Sequence, residues 1–279
     1  MNFFSSNKEI LKLIKNKSIK KIGLVPTMGS IHAGHISLIK KAISENILVI
    51  VSIFINPTQF ENTLDLKNYP KNFDNDIKIL KQFSKGIIIY VPEVNDLYYK
   101  SVVANKYFFG SIEKTMEGID RKDHFQGVAT IVEKLLLIFK PTNAYFGEKD
   151  FQQLLIIRNL VIQKKIKTKI IGCEIVRGKN GLALSSRNIL LDEHELKLAP
   201  ILYQTLIEAK KLKNKLTPRE IIKYVEKKLS FFPSLSLEYF IIADQKSLTP
   251  IDNFNINKKI RTFIAVKFGK IRLIDNLQF

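Results

Sequence analysis

Residues 21–60 read KIGLVPTMGSIHAGHISLIKKAISENILVIVSIFINPTQF. The apolar run Lys21 to Pro26 predicts a strand, and a glycine-bearing turn follows it. Apolar residues spaced from about Gly34 to Asn46 then predict a helix. Ile47 to Ile55 (ILVIVSIFI) is nearly continuous in apolar side chains, as a central strand buried on both faces requires. A turn rich in Asn and Pro closes the unit.

Strand, turn, helix and strand make one βαβ unit, and the pattern repeats outward from it. A helix is expected over 73–83 and a buried strand over 86–91 (GIIIYV). Residues 92–127 are less regular. A helix over 127–139, a short strand over 143–147, a helix over 150–164 and a strand over 169–176 complete the series. This alternation predicts an α/β fold, with a Rossmann-like parallel sheet in the N-terminal domain. From about residue 177 the texture changes. Helices over 192–212 and 217–229, the second with Pro218 in its first turn, precede β-rich stretches at 237–243, 260–267 and 270–275. We therefore expect two domains, 1–176 and 177–279, the second a small α+β lid.

Composition narrows the classes. The chain has 279 residues, 46% of them hydrophobic, enough for a sizeable core. No apolar run approaches the roughly 20 residues that span a bilayer. The N-terminus lacks a basic segment followed by an apolar one, so no signal peptide is expected and the protein reads as cytoplasmic, with no membrane partner. One cysteine, Cys173, excludes an intrachain disulfide and a cysteine-clustered zinc site. The net charge of +19 suggests nucleic acid at first sight. However, only 7 of the 45 basic residues are Arg, and the lysines are scattered over the whole length. Nucleic-acid readers favour clustered arginine, so no specific nucleic-acid partner is expected.

The chemistry-bearing residues fall in turns after predicted strands. Pro26 to His35 (PTMGSIHAGH) stands where a strand hands over to a helix, whose first amides lack intrahelical partners and favour an anion. Gly29 and Gly34 allow close backbone approach, and His32 and His35 frame Gly34. A tight turn with two incidental histidines is the alternative. Asn56 and Gln59 follow the second strand, where open α/β sheets bind ligands. Gly147-Glu148-Lys149-Asp150 repeats the strand-to-helix geometry, with Lys149 placed for a phosphate, Asp150 at the N-cap and Gln153 one turn deeper on the same face. Leu184-Ser185-Ser186-Arg187-Asn188 offers two hydroxyls and a guanidinium near the expected domain junction. Simple capping and a plain hinge loop are the alternatives for these last two.

Taken together these blocks resemble the pantothenate synthetases (pantoate–β-alanine ligases) of the HxGH adenylate-forming and nucleotidyl-transferring superfamily. The resemblance rests on PTMGSIHAGH at 26–35, SIFINPTQF at 52–60, EGIDRKDHFQGV at 117–128, KPTNAYFGEKDFQQL at 140–154 and IVRGKNGLALSSRN at 175–188. HxGH alone is weak. AYFGEKDFQQ with NPTQF and LSSRN is specific, whereas the C-terminal third matches by size and texture only. The resemblance implies ATP binding by Met28, Gly29, Ser30, Ile31, His32, Ala33, Gly34 and His35, by Gly147, Glu148, Lys149 and Asp150, and by Val176 and Leu184 to Arg187. It implies that Gln59 and Gln153, with Asn56 close by, bind pantoate, and that Arg121 and His124 lie over the site.

The implied reaction has two steps. Pantoate attacks the α-phosphate of ATP to give an adenylate and pyrophosphate, and the amine of β-alanine then displaces AMP. Catalytic donors would be His35, His32, Lys149, Ser185, Ser186 and Arg187. Mg²⁺ is expected on the phosphates, held by substrate and water and not by protein alone. A homodimer is implied as well. Three departures from the family pattern stand out: Lys122-Asp123 in place of Pro-Gly, Gly178 in place of Glu, and Asn180 in place of Asp. Cys173 reads as a core residue and His194 as a surface one. Two rivals remain at this level. One is nucleotidyl transfer to a phosphorylated substrate, which leaves the pairing of Gln59 with Gln153 unexplained. The other is a basic RNA-binding module.

Overall fold

The computed structural model describes residues 2–61, 63–98, 101–254 and 257–279. Strands β1 (Asn2–Phe4), β2 (Ile22–Thr27), β3 (Leu48–Ile53), β4 (Ile87–Tyr90), β5 (Asn143–Gly147) and β6 (Lys169–Cys173) form one sheet in the order β1-β4-β3-β2-β5-β6. Every pairing in it is parallel. Successive side chains of a strand point to opposite faces, so a sheet covered on both sides needs continuous apolar runs. Leu24, Ile50 and Ile88 pack on one face with the helices His124–Phe139 and Phe151–Gln163. Val25, Val51 and Ile89 pack on the other, against Ala33–Glu45 and Phe73–Leu80. Each such fully buried side chain contributes roughly 1.5–3 kcal/mol.

The connections place the site. From β2 the chain winds through β3 to β4 on one side, then returns to β5 on the other side of β2. Such a reversal opens a crevice beyond the carboxyl ends of the two strands, where open α/β sheets bind their ligands. The histidine turn leaves β2 at that crevice, and the Gly147–Asp150 turn leaves β5 there.

Strands β7 (Leu235–Asp244), β8 (Ile260–Phe268) and β9 (Ile271–Gln278) form an antiparallel sheet. One face, with Phe240, Ile242, Ile264 and Val266, packs on the helices Ile201–Leu212 and Pro218–Leu229. The other carries Tyr239, Ile241, Ala243 and Phe263 into the core of the parallel sheet. The C-terminal region thus has a core of its own and also shares one with the N-terminal region.

Several expected boundaries move. The helix expected over 192–212 is two, Glu193–Leu198 and Ile201–Leu212. Pro200 lies between them, and proline lacks the N–H and the space that an unbroken helix needs. The last strand of the parallel sheet ends at Cys173, leaving Glu174 to Val176 outside it. The helix expected from 127 begins three residues earlier, at His124. The helix expected over 73–83 ends at Leu80 and tightens to a 3₁₀ turn over Lys81–Phe83. Strand β1 was not expected, because three residues are too few to show a period, and the amphipathic helix Asn7–Asn16, capped by Ser6, is a further addition to the expected elements. Cys173 is buried and His194 exposed, as read.

Candidate active site

The histidine turn is held from inside. Gly29 (φ +81°) and Ser30 (φ +51°) take left-handed backbone, which turns the amides of Ser30 and Ile31 toward one point. The buried carboxylate of Asp76 stands there and accepts both, at 2.8 and 2.6 Å. A Cβ on residue 29 would lie 2.9 Å from the same carboxylate, so the approach requires glycine. These two amides, which precede the helix, are occupied by the protein's own anion. Ser30 and Ile31 build the turn, and with Gly29, Ala33 and Glu148 they line no part of the cavity below.

His32 is the N-cap of helix Ala33–Glu45. Its Nδ1 accepts from the amide of Gly34 at 3.1 Å, and Nδ1 of His35 accepts from the amide of His32 at 3.4 Å. A neutral imidazole that accepts at Nδ1 carries its proton on Nε2. Both rings therefore keep an Nε2–H donor for the cavity that they line. Burial, aided by the Lys149 ammonium, pushes His32 down to about 4. Burial and the neighbouring His32 push His35 down to about 3. Both rings are neutral donors at physiological pH.

The turn after β3 is a rigid amide cluster. Asn56 Nδ2 donates to Gln59 Oε1 and to Gly127 O, both at 3.1 Å, while its Oδ1 accepts from the hydroxyls of Tyr98 (2.7 Å) and Thr58 (3.1 Å). Two donors and two lone pairs exhaust a carboxamide. Asn56, expected to meet a substrate, instead orients Gln59, turning Gln59 Nε2 toward Met28 Sδ, 3.0 Å away. A side chain at Gly127 would strike the Thr58 carbonyl 2.2 Å away, so only glycine lets the helix His124–Phe139 come this close. At its start, His124 Nδ1 bonds Gln59 O at 2.7 Å and its Nε2 bonds Arg121 Nη1 at 3.1 Å. Arginine only donates and a carbonyl only accepts, so the proton sits on Nδ1. Burial and then Arg121 push His124 down to about 3. His124 therefore bridges Arg121 to Gln59 as a neutral ring. The preceding Asp123 has φ +58°, a region that glycine occupies freely and Asp tolerates.

The turn after β5 is held from outside. Lys149 Nζ lies 3.3 Å from Asp150 Oδ1, and Asp150 makes no capping bond to the helix it precedes. Burial raises the Asp150 carboxyl, but Lys149, with His124 and Arg121, outweighs it and holds the group below the ordinary carboxylate range. Glu148 turns away to pair with Arg261 at 3.1 Å. Asn276 Nδ2 donates to the carbonyls of Glu148 and Lys149, both at 2.9 Å. Both adjacent glutamines line the cavity, Gln152 buried with its carboxamide tied to Ile112 O, Thr115 O and Glu117 N, and Gln153 half-buried.

In the last loop, Ser185 caps its own turn through Arg187 N, Ser186 Oγ donates to Ser30 O at 3.1 Å, and Arg187 reaches Asp65 at 3.5 Å. All of these turns open on one cavity of about 300 Å³, the lower end of the range for small-molecule sites. It gathers Met28, Gly34, Gly147, Val176 and Leu184 with the polar residues above, Arg121 included.

The sequence reading missed Asp76, Tyr69 and the C-terminal contributors Tyr239, Arg272 and Asn276. Arg272 pairs with Glu117, Asp120 and Glu238, and Tyr239 donates to Glu117 at 2.7 Å. One signal for the β9 residues was present. Arg272 and Asp275-Asn276 interrupt the apolar positions of Ile271 to Leu277, and polar residues at such positions need partners.

The chain is similar to known proteins over nearly its whole length. A family model described as pantoate-beta-alanine ligase matches residues 2–278. The pantothenate synthetase of Flavobacterium psychrophilum is 48% identical over 258 residues, 92% of each chain. That of Bacteroides fragilis is 43% identical over 260 residues, 93% of this chain and 92% of its own. The pantothenate synthetase structure from Thermus thermophilus superposes with a TM-score of 0.91 at 33% identity, over 100% of this chain and 99% of that one. The pantoate-beta-alanine ligase of Francisella tularensis, solved with beta-gamma ATP and beta-alanine, gives 0.81 at 37% identity, over 100% and 97%.

Proposed function

The chain belongs to the pantoate–β-alanine ligase family, and from that premise we propose that it uses ATP to join (R)-pantoate to β-alanine through a pantoyl adenylate. The observation that carries the proposal is the convergence in one cavity of Lys149, His32, His35, Ser185, Ser186 and Arg187 with the carboxamides of Gln59 and Gln153. The first set suits phosphates and the second a hydroxy acid.

In the first step the pantoate carboxylate attacks the α-phosphate and pyrophosphate leaves. A carboxylate is ionised at neutral pH, so no general base is needed. The step needs alignment and donors aimed at the growing phosphate charge. The neutral Nε2–H groups of His32 and His35 and the ammonium of Lys149 supply them. A preorganised donor of this kind can be worth roughly 2.7–4 kcal/mol. Gln59, oriented by Asn56 and His124, and Gln153 hold pantoate in line. In the second step the β-alanine amine attacks the acyl carbon, and AMP leaves with the electrons of the broken C–O bond. The buried lining keeps water from the mixed anhydride.

Mg²⁺ belongs to the same proposal, carried on the triphosphate. The ion would be coordinated mainly by phosphate and water; among the described residues no group of three or more His, Cys, Asp or Glu stands together. Residues 1–176 and 177–279 are proposed as two domains, with the separate C-terminal core in support. A homodimer and a cytoplasmic location complete the reading. No helix among the described residues is long and apolar enough to cross a membrane.

The test is pyrophosphate release from ATP and Mg²⁺. Release that requires pantoate, followed by AMP and pantothenate once β-alanine is added, is the expected result. Folded protein that releases pyrophosphate with some other acid but not with pantoate would overturn the substrate assignment. A dinucleotide-type product in place of AMP would favour nucleotidyl transfer.

A further inference from the structure

We propose that Asn276, on the C-terminal strand β9, is a positioning residue for Lys149. The inference rests on the reading of Lys149 as a phosphate-binding residue. A single carboxamide, 2% exposed, donates to two consecutive carbonyls, Glu148 O and Lys149 O, each at 2.9 Å. Fixing both carbonyls fixes the backbone on either side of the Lys149 Cα, and with it the direction in which the side chain leaves.

The carboxamide is itself held in one orientation. Its Oδ1 accepts from Arg261 Nη1, and arginine can only donate, so Nδ2 must face the carbonyls. Arg261 lies over the Phe151 ring, 4.0 Å from its centroid, and is anchored by Glu148. The Asn276 amide donates to Asp275 Oδ1 at 2.8 Å, and Arg177 grips that carboxylate with two bonds of 2.6 and 2.9 Å. The carboxamide's neighbours are thus themselves held, with the buried Nε of Arg261 the one group beside it left without a partner among the described residues. Lys149 itself, 18% exposed in its side chain, has little room to find the same direction in another way. Among the described residues no carboxylate holds the amides of the turn after β5 as Asp76, from the helix Phe73–Leu80, holds those of the histidine turn. The geometry of the turn after β5 is supplied by a strand more than a hundred residues away.

A double-mutant cycle separates positioning from plain packing. Steady-state ligation with ATP, Mg²⁺, pantoate and β-alanine would be measured for wild type, Asn276→Asp, Lys149→Ala and the double variant, with thermal melts on each. Asn276→Asp is isosteric but points an acceptor at two carbonyls. It should lower kcat/KM for ATP on the order of tenfold to a hundredfold, the usual cost of a displaced reacting group. In the Lys149→Ala background the same change should cost less than about twofold, since little is left to position. Asn276→Ala runs the same cycle without a new charge and decides the matter if the Asp variant does not fold. Equal losses in both backgrounds would overturn the inference while leaving Lys149 its role. A Lys149→Ala enzyme with wild-type kcat/KM for ATP would overturn that reading of Lys149, and the inference with it.

Discussion

Two turns leave neighbouring strands and face the same cavity, yet they are held by opposite means. The turn after β2 is stapled locally, with Asp76 on the amides of Ser30 and Ile31 and with His32 and His35 accepting from the backbone beside them. Among the described residues the turn after β5 has no such carboxylate, and β9 holds it through Asn276, with Arg261 on Glu148. The histidine turn is therefore held mainly by N-terminal groups, with Ser186 Oγ on Ser30 O the contribution of the C-terminal region, whereas the backbone of the lysine turn is held from the C-terminal sheet. With Lys149 meeting phosphate as proposed, a site divided this way would couple that contact to the placement of the second region.

The largest break in this comparison is Asp76→Ala. It leaves two turn amides without their acceptor at about 1–3 kcal/mol each. A loss of about 3 kcal/mol in denaturant unfolding, with turnover largely abolished, is expected. Asp76→Asn, which keeps one acceptor, should fall between the two. An unchanged unfolding midpoint for the Ala variant would show that the turn needs no staple.

Glu148→Ala is the corresponding break on the other side. It leaves Arg261, 5% exposed, with Asn276 as its remaining polar partner. Loss of one charge-assisted bond should cost about 2 kcal/mol. Turnover should fall through Lys149 while the histidine turn stays intact. Equal damage to both turns, read from amide exchange at Ser30 and Ile31, would count against independent support.

Acid provides a further contrast. His32 and His35 lie at about 4 and 3 in the folded protein, against 6.5 unfolded. Between these values the unfolded chain binds more protons, so folding stability falls as pH drops from about 6.5 toward 3. Protonation at Nδ1 also removes the cap acceptor. Each ring can contribute at most about 1.4 kcal/mol per pH unit. Asp150, held below its ordinary 3.8, contributes stability that persists until pH falls below that value. A His32→Asn, His35→Gln variant should therefore show a shallower loss of unfolding free energy between pH 6.5 and 4. Slopes identical to wild type would place the acid sensitivity elsewhere, with His124 the next group to test.

The sequence by itself determined the parallel sheet, the crevice and most of the cavity's lining residues. Those features are local: a buried strand needs a continuous apolar run, and a motif at a strand-to-helix turn lands at the sheet's carboxyl edge wherever the strand sits. Only the tertiary structure decided what each motif residue does. Asn56 and Gln59 look alike in NPTQF, and so do Gln152 and Gln153 in FQQL. All four line the cavity, but hydrogen bonds to Gly127, Ile112 and Thr115 tie the carboxamides of Asn56 and Gln152 into the scaffold. Asp76 stands 46 residues from the amide of Ser30, and Asn276 stands 128 from the carbonyl of Glu148. A hydrogen bond of about 3 Å depends on how whole layers pack, and neighbouring letters along the chain carry no record of it.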